Sequence, residues 1–343
     1  MKRKLIFIGP TASGHQPTSG GTMKNRLFLQ RFSSLFEKIV VVDTEKWRKN
    51  PLVIFKLVCI LAFVRNAKVV VSCEAMAPKV IIFLYYFRLQ KDVIYWVIGC
   101  DVVRRIGERE LNPNHFAYLK SIVVQSPKMV ETLNSVGLRN AIYVPNSKPV
   151  FALPKVEHPA DETRFVFVSR IIPEKGCDLI LNCVKRLNEE GLEDRFSVDF
   201  YGKIGPGYDF ESRISAFGNV SYKSVLNLLD KAGYEELSLY DVFLFPTFYK
   251  GEGFPGSVID AYIAGLPIIA SDWHFNKDVI QDGITGFVIP PQDEEALYGA
   301  MLSLVKDKTV LPQMRSNCLR EAKRYDVKNV LNEEVLRIVG LIE

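Results

Sequence analysis

Short apolar runs alternate with longer segments of mixed polarity along almost the whole chain. The runs are rich in Val, Ile and Phe and are bounded by polar or turn residues, a pattern typical of strands buried on both faces of a parallel sheet. The predicted strands are 4–8, 39–43, 67–73, 92–98, 121–125, 141–144, 164–169, 196–201, 242–246, 267–270 and 286–289. The predicted helices between or after them include 23–36, 178–190, 257–264, 294–305 and 331–342.

The alternation is interrupted once, at 146–163, where three prolines occur with little periodicity. Such a segment predicts an interdomain linker. We therefore expect an α/β protein with two Rossmann-like domains that face each other across a cleft. The expected bounds are 1–150 and 151–325, with a C-terminal helix at 326–343 that packs back on the N-terminal domain.

Charge divides the chain near the same place. The 343 residues have a formal net charge of +5, but residues 1–150 hold 23 Lys and Arg against 9 Asp and Glu, a net charge of +14. The remaining 21 basic and 30 acidic residues give 151–343 a net charge of −9. The apolar and charged fractions are those of a globular protein and exclude a disordered or collagen-like chain. A basic N-terminal half suggests that this half faces an anionic surface or ligand.

Cysteine spacing and hydropathy indicate the cellular compartment of the protein. The six cysteines are scattered without a CxxC pair, so we expect neither a disulfide framework nor a zinc site, and no other metal site is expected. No signal peptide is evident. The longest apolar stretch, 52–64, is interrupted by Lys56 and is shorter than a bilayer span. We expect a cytoplasmic protein whose membrane contact, if any, is peripheral.

The loop after the first predicted strand contains Gly14, Gly20 and Gly21 before a helix. Glycines and a helix N-terminus favour an anion cradle, and a plain turn is the alternative. This loop lacks the GxGxxG spacing of a dinucleotide site. The acidic residue that such a site needs for the ribose, at the end of the second predicted strand, could only be Asp43. An NAD-linked or epimerase enzyme would also need a Tyr-x-x-x-Lys pair, which the chain lacks.

Two cations follow the first strand of the second domain. Arg170 leaves the strand and Lys175 lies five residues later, just before a helix. Together they would neutralise a diphosphate, whereas the alternative is a solvated loop with ordinary surface charges. The next predicted strand ends at Gly202, in a second glycine-rich turn at the same edge of the same sheet. This turn is either part of the ligand site or a flexible loop.

The segment 245–267 carries the sharpest pattern. A strand leads into a glycine-rich loop with Glu252, and a helix begins near Pro255 and ends at Gly265, with Asp260 inside it. One carboxylate would bind sugar hydroxyls and the other a ribose, with phosphate at the helix start. The alternative is a helix cap and a surface aspartate. The backbone and side chains expected to contact this ligand are Phe254, Pro255, Gly256, Ser257 and Val258.

These residues resemble the donor-binding domain of the family 4 retaining glycosyltransferases, whose two facing Rossmann-like domains form the GT-B fold. The family's Glu-x7-Glu signature is matched by Glu252 and Asp260, with Asp in place of the second Glu. The Arg and Lys that clamp the donor diphosphate match Arg170 and Lys175. Further matches are Gly202, Asp282-Gly283 with Gly286, Gly20-Gly21, Ser126 and Pro145-Asn146.

The resemblance implies a mechanism. A nucleotide-diphosphate sugar, with a UDP-sugar favoured over a GDP-sugar, would bind the C-terminal domain, and the N-terminal domain would supply the acceptor hydroxyl. Glu252 would hold hydroxyls of the transferred sugar, Arg170 and Lys175 would stabilise the leaving diphosphate, and Asp260 would bind the ribose. Transfer would proceed with retention, without cofactor or metal, and the chain has no Asp-x-Asp motif.

Acceptor-side residues are less defined. The segment Ile98-Gly99-Cys100-Asp101 resembles a family position near the reacting sugar, so Asp101 would orient acceptor or donor, or instead cap the following helix. His15 lies in the glycine loop and would reach phosphate or acceptor, although a single loop histidine often has no such role.

The basic half allows three interpretations. Cations on the first helix and around 46–65 are interleaved with aromatic residues, which suits a surface that rests on anionic lipid. The alternatives are crossover helices flanked by solvated charges, or a nucleic-acid surface, for which no recognised motif is present.

The expected function is a retaining glycosyltransferase, a hexosyltransferase, that acts on a glycan or lipid-linked acceptor in bacterial polysaccharide or glycolipid assembly. The alternatives are a non-catalytic module that binds sugar nucleotides or a membrane surface, and a two-domain NAD-linked or epimerase enzyme.

Overall fold

The computed structural model describes residues 4–12, 20–45, 47, 50, 52–64, 67–87, 92–157 and 161–343. The chain divides into two compact units, one made of Met1–Lys148 with Val330–Glu343 and the other of Pro149–Asn329. Each contains a six-stranded parallel sheet, so the expected class of two Rossmann-like α/β domains is confirmed. The loop residues Gly14 and His15 lie outside the described ranges, as do four of the cations at 46–65, namely Lys46, Arg48, Lys49 and Arg65.

The first unit has its strands in the order β2-β1-β3-β4-β5-β6. The strands are β1 (Lys4–Gly9), β2 (Lys38–Asp43), β3 (Lys68–Val71), β4 (Val93–Trp96), β5 (Ser121–Val124) and β6 (Ala141–Tyr143). The connecting helices are α1 (Gly20–Ser33), α2 (Leu52–Phe63), α3 (Ala77–Phe87), α4 (Asp101–Gly107) and α5 (Pro127–Ser135). The apolar runs become central strands because helices cover both faces of the sheet.

The direction of each crossover sets the face on which its helix lies. From β1 the chain steps one way to β2, and from β2 onward it steps the other way to β3 and β4. Because parallel crossovers are right-handed, α2 and α3 lie on the same face of the sheet and α1 on the opposite face. The reversal between β1 and β3 makes the carboxyl edge of these two strands the switch point of the first sheet.

The last residues of the chain return to the first unit. The Ser121 hydroxyl donates to the Val339 carbonyl at 2.7 Å, and Arg31 of α1 donates to the Leu331 carbonyl at 3.3 Å. The predicted helix at 331–342 is shorter in the structure, where α14 covers Glu333–Ile338. The Asn332 side chain caps its start, and Gly340, with φ of 82°, adopts a left-handed conformation beyond its end.

The second unit has the strand order β12-β11-β10-β7-β8-β9. Its strands are β7 (Thr163–Val168), β8 (Phe196–Tyr201), β9 (Val220–Tyr222), β10 (Val242–Phe245), β11 (Ile268–Ser271) and β12 (Gly286–Ile289). Its helices are α6 (Cys177–Glu189), α7 (Phe210–Ile214), α8 (Lys231–Leu237), α9 (Gly256–Ile263), α10 (Asn276–Val279), α11 (Glu294–Lys306) and α12 (Leu311–Ala322), with the short α13 (Val327–Val330) at the boundary. The sequence did not predict β9, which is only three residues long.

Candidate functional site

The switch point of the second sheet lies between β7 and β10. The chain leaves β7 in one direction to form β8 and β9, and it later adds β10, β11 and β12 on the other side. At such a reversal the connecting loops diverge and leave a crevice at the carboxyl ends of the strands. The loop after β7 carries Arg170 and Lys175, and the loop after β10 carries Glu252, so the fold brings the two sequence motifs to one crevice.

Backbone contacts hold these two loops against each other. Gly176 has φ of 82°, and a Cβ at this position would lie 2.3 Å from the Pro246 carbonyl oxygen. The Phe248 amide also donates to the Glu174 carbonyl at 2.9 Å. A glycine is therefore required directly after Lys175, since a side chain would separate the loops.

Lys175 and Glu252 form an ion pair in the crevice. The Lys175 ammonium donates to Glu252 Oε2, and the side chains of the two residues are 6% and 14% exposed. The Thr247 hydroxyl lies 3.1 Å from the same oxygen. Two charges withdrawn from water to this extent stabilise each other, and removal of either one would leave the other buried without its partner.

The ring of Tyr249 lies under both cations of the site. The Arg170 guanidinium carbon is 4.7 Å from the ring centre, and the Lys175 ammonium is 5.4 Å from it. Trp273, which follows β11, donates its indole N–H to the Tyr249 carbonyl at 2.9 Å. Loops after three adjacent strands thus fix one aromatic ring, and the ring attracts both cations through its π face.

Helix α9 starts beside this pair. Pro255 occupies the N-cap position and has no side-chain cap, and Phe254 is buried with its ring 5.9 Å from that of Tyr325. The amide of Val258, a residue expected to contact the ligand, instead donates to the Pro255 carbonyl at 3.1 Å. The first-turn amides at Gly256 and Ser257 remain the candidates for a ligand contact.

Asp260 lies on the buried side of α9. It is 5% exposed, and its Oδ1 accepts a hydrogen bond from the Tyr234 hydroxyl at 2.7 Å. Burial, and then the neighbouring Asp260 charge, raise the pKa of Tyr234 well above its usual value, so this phenol stays protonated and donates. Asp260 is therefore not a surface aspartate, and one of its oxygens is already committed to the core.

Gly202 brings the turn after β8 close to the same crevice. With φ of 146°, it occupies a backbone region that other residues rarely adopt, and a Cβ there would lie 1.6 Å from the Ser169 carbonyl oxygen. Its amide donates to the Ser224 carbonyl at 2.7 Å. This glycine lets two backbones meet one residue before Arg170, so the turn has a fixed shape.

The remaining sequence candidates lie in the first unit. Gly20 and Gly21 begin α1, and a Cβ on Gly21 would lie 2.9 Å from the Ile98 side chain. Lys24, one turn into the helix, donates to the Val97 carbonyl at 3.3 Å, and burial lowers its pKa to about 7. Burial thus lets a lysine at the carboxyl edge of this sheet lose its proton near neutral pH.

Asp101 is the first residue of α4, after the N-cap residue Cys100. Its carboxylate pairs with Arg104 at 2.8 Å and with Arg105 at 3.9 Å. Glu74, which follows β3, lies beside it, and the pKa of Glu74 is raised by desolvation first and by the Asp101 charge second. The carboxyl edge of the first sheet therefore presents two neighbouring carboxylates, Glu74 after β3 and Asp101 after β4, of which the sequence indicated only Asp101.

Three residues of the site were not singled out from the sequence. Thr247 and Tyr249 lie between the end of β10 and Glu252, so their place in that loop is the signal that would have found them. Glu74 is an acidic residue directly beyond an apolar strand. In the described part of the chain, His, Cys, Asp and Glu form no group of three that could hold a metal ion.

Comparison with known proteins gives a family match for the second unit. The family described as "Glycosyl transferases group 1" matches residues 151–325. The phosphatidyl-myo-inositol mannosyltransferase of Mycobacterium leprae is 25% identical over 234 residues, which are 66% of this chain and 60% of that protein. The amylovoran biosynthesis glycosyltransferase AmsK of Erwinia amylovora is 24% identical over 41% of this chain and 35% of its own length. The matches thus span less than two thirds of either relative.

Solved structures share the fold over the whole chain. Sucrose-phosphate synthase from Thermosynechococcus elongatus has a TM-score of 0.79 at 14% identity, with 99% of both chains covered. HepE of Anabaena in complex with UDP has a TM-score of 0.69 at 12% identity, with both chains covered completely. At these identities the likeness concerns the architecture alone.

Proposed function

Because the chain belongs to the group 1 glycosyltransferases, we propose that it moves a hexose from a nucleotide-diphosphate sugar to a hydroxyl of a glycan or lipid-linked acceptor. The observation that carries the proposal is the buried Lys175–Glu252 pair, which shares the Tyr249 ring with Arg170. Two cations and one carboxylate at the switch point match the needs of a diphosphate and a sugar hydroxyl.

The donor and acceptor classes follow from chemistry together with the relatives. HepE was solved with UDP, which supports a UDP-sugar over a GDP-sugar here. The mannosyltransferase relative is named for a lipid acceptor, and AmsK is named for the biosynthesis of the polysaccharide amylovoran. We propose a role in bacterial surface polysaccharide or glycolipid assembly, with the second unit as donor domain and the first as acceptor domain.

The proposed reaction retains the anomeric configuration. The bond from the anomeric carbon to the phosphate oxygen breaks with its electron pair on the diphosphate, and the acceptor oxygen bonds to the same face of the sugar. The acceptor proton passes to a phosphate oxygen of the leaving group. Arg170 and Lys175 stabilise the charge that develops there, and no metal or cofactor is proposed.

The ion pair must change when the donor binds. The diphosphate would share the Lys175 ammonium, and Glu252 would then be released to accept hydrogen bonds from the hydroxyls of the transferred sugar. Asp260 would bind the ribose, Gly202 would shape the diphosphate side of the pocket, and the Gly256 and Ser257 amides would contact phosphate. Gly20 and Gly21 are proposed to contact the diphosphate from the first unit, and Asp101 to orient the acceptor.

A panel of nucleotide sugars tests the proposal. UDP-sugars should raise the melting temperature and be hydrolysed slowly, since a ligand that binds only the folded state stabilises it. Arg170→Ala should remove the shift, and Glu252→Ala should abolish turnover. Arg186→Ala is the matched control, because Arg186 also lies over a tyrosine ring in the second unit but pairs with Glu295.

Two outcomes would overturn it. One is the lack of any shift or turnover with both UDP- and GDP-sugars. The other is full turnover by the Glu252→Ala variant.

Product NMR reports the anomeric configuration. Activity that survives excess EDTA supports the metal-free step, whereas a loss of activity that magnesium restores would contradict it.

The basic half is proposed to meet an anionic membrane surface on the cytoplasmic side. None of the helices in the described ranges has the length and apolar character needed to cross a bilayer, so this contact would be peripheral. A glycosyltransferase with a lipid-linked acceptor would gain from such contact, since the acceptor hydroxyl lies near the headgroups.

A further inference from the structure

Helix α2 exposes an apolar surface to solvent. Leu57 and Leu61, four residues apart, are the side chains by which it packs on the first unit, and they are 5% and 1% exposed. Four other large apolar residues of the helix face outward: Leu52 and Phe55 are each 69% exposed, Ile54 43% and Val58 39%. A helix on the surface of a globular protein normally presents charged and polar residues there, so this pattern needs a partner to explain it.

Helix α3 ends in two further exposed aromatic residues. Helix α3 lies on the same face of the sheet as α2, and its last two residues, Tyr86 and Phe87, are 67% and 63% exposed. The Lys79 ammonium of α3 lies 4.9 Å from the ring centre of Trp47, just before α2, which joins the two connections at the carboxyl edge. The outward-facing residues 52, 54, 55 and 58 of α2 are called the apolar face below, whereas Tyr86 and Phe87 end α3 toward the amino edge of the sheet.

The same stretch of chain is strongly basic. Residues 46–91, which contain both helices, hold nine Lys and Arg, and Glu74 is their one acidic residue. Lys56 is exposed in the middle of α2, among the apolar side chains. Apolar residues with interspersed cations are what the interface of an anionic bilayer accepts, because acyl chains take up the former and lipid phosphates pair with the latter.

We propose that the apolar face is the site at which the protein docks on an anionic lipid bilayer, with α2 lying in the headgroup region. A second copy of the chain fits less well, because two copies of a stretch with nine basic residues and one acidic residue would repel each other. The phosphates of a nucleic acid would pair with the cations, but the apolar side chains would remain exposed to water.

The orientation of α2 connects docking with the site. Crossover helices run antiparallel to their strands, so α2 begins at the carboxyl edge of the first sheet, where Gly20 and Asp101 also lie. Docking through the first turns of α2 would bring this edge to the headgroups. The purpose assigned to docking, access to a lipid-linked acceptor, rests on the proposed function, whereas docking itself does not.

Co-sedimentation of the full chain with vesicles tests the proposal. Binding is expected to vesicles of phosphatidylglycerol and phosphatidylcholine, and to weaken strongly with phosphatidylcholine alone or at high salt. The double variant Leu52→Gln/Phe55→Gln should lose binding roughly tenfold or more, since both side chains leave the acyl boundary. The matched control is Val225→Gln/Leu239→Gln, which alters residues of the second unit that are 63% and 44% exposed and should bind as the wild type does.

A second measurement reports insertion directly. Phe55→Trp should gain a blue-shifted emission on vesicles and be quenched by brominated acyl chains. The proposal is overturned if the double variant binds as the wild type does or if Phe55→Trp is not quenched. It is also overturned if the wild type does not bind vesicles and forms a dimer, whereas the double variant is a monomer. Stabilisation by UDP-sugars, measured without vesicles, should be equal in all variants, so a failure of docking is distinguishable from a failure of the proposed function.

Discussion

At the scale of single residues, Lys175 and Glu252 neutralise each other where a diphosphate is expected to bind. Replacing Glu252 with Gln removes the charge that competes for the ammonium while the shape of the site is kept. We expect UDP to bind this variant about tenfold more tightly than the wild type, because one charge pair is worth roughly 1–2 kcal/mol. The rate of sugar transfer should fall to a small fraction of the wild-type rate.

Calorimetric titration with UDP measures the first effect, and a donor-turnover assay measures the second. Glu295→Gln is the control, since Glu295 pairs with Arg186 on the surface of the same unit. Weaker UDP binding by Glu252→Gln would show that the carboxylate does not compete with the nucleotide.

Tyr249 acts on the site through its ring. Tyr249→Ala should raise the donor KM about tenfold, because the two cations above the ring each lose an attraction of about 0.5–1 kcal/mol. Tyr249→Phe keeps a ring and the backbone bond to Trp273, so its KM should stay near the wild-type value. Steady-state kinetics separates KM from kcat. Equal impairment of the Phe and Ala variants would assign the effect to the hydroxyl instead.

Lys24 links stability to pH. Its pKa is about 7 in the folded protein and 10.5 in the unfolded reference. Below pH 7 the ammonium is charged in both states and its burial lowers stability by about 5 kcal/mol. That penalty disappears as the pH rises from 7 to 10.5, so stability from this group increases with pH.

Lys24→Met should therefore unfold at higher denaturant concentration than the wild type at pH 6, and the difference should shrink toward pH 10. Urea titrations across this range measure the effect, with Lys185→Met as an exposed control from the second unit. A difference that is constant with pH would mean that Lys24 does not titrate between its folded and unfolded values.

At the scale of elements, backbone approach between loops decides the geometry of the site. Gly176 and Gly191 have similar positive φ, 82° and 76°, but a Cβ meets the Pro246 carbonyl only at Gly176 and nothing within 4 Å at Gly191. Gly191→Ala should cost about 1 kcal/mol of conformational strain. Gly176→Ala should cost at least twice that and also weaken donor binding, since the loop with Lys175 must move.

Chemical denaturation and UDP titration of the two variants measure these effects. Equal destabilisation, with UDP affinity unchanged in both, would show that the contact between the loops after β7 and β10 is not needed to hold Lys175 in place.

The elements themselves were largely predictable. Continuous apolar runs predicted eleven of the twelve strands in the described ranges, since a strand buried on both faces needs no polar alternation. β9 was missed because Val220–Tyr222 offers one buried and two half-buried residues, too little for a hydrophobic pattern. Helix ends were displaced where glycine or a side-chain cap decided them, as with α1, which begins at Gly20 rather than at 23.

At the scale of the whole molecule, residues far apart in sequence stabilise one unit. Leu336 of α14 is fully buried against the first unit. Leu336→Ala should destabilise that unit by about 2–5 kcal/mol through the lost contacts and the cavity left behind. Hydrogen exchange should then speed up in strands such as β5, while β10 of the second unit keeps its protection.

Leu297→Ala is the matched control, because Leu297 is equally buried in the second unit and should produce the opposite distribution. Faster exchange in both units with either variant would show that the two units unfold together rather than separately.

By itself the sequence determined the two α/β domains and indicated the motif residues Arg170, Lys175 and Glu252, because these depend on local hydrophobic patterns and on residue types at the ends of strands. Strand order is non-local. Only the tertiary structure paired Lys175 with Glu252 over Tyr249, buried Asp260 against Tyr234, placed Glu74 beside Asp101 and left the apolar side of α2 exposed. Each of these depends on which strands and helices become neighbours, and no local pattern in the chain specifies that.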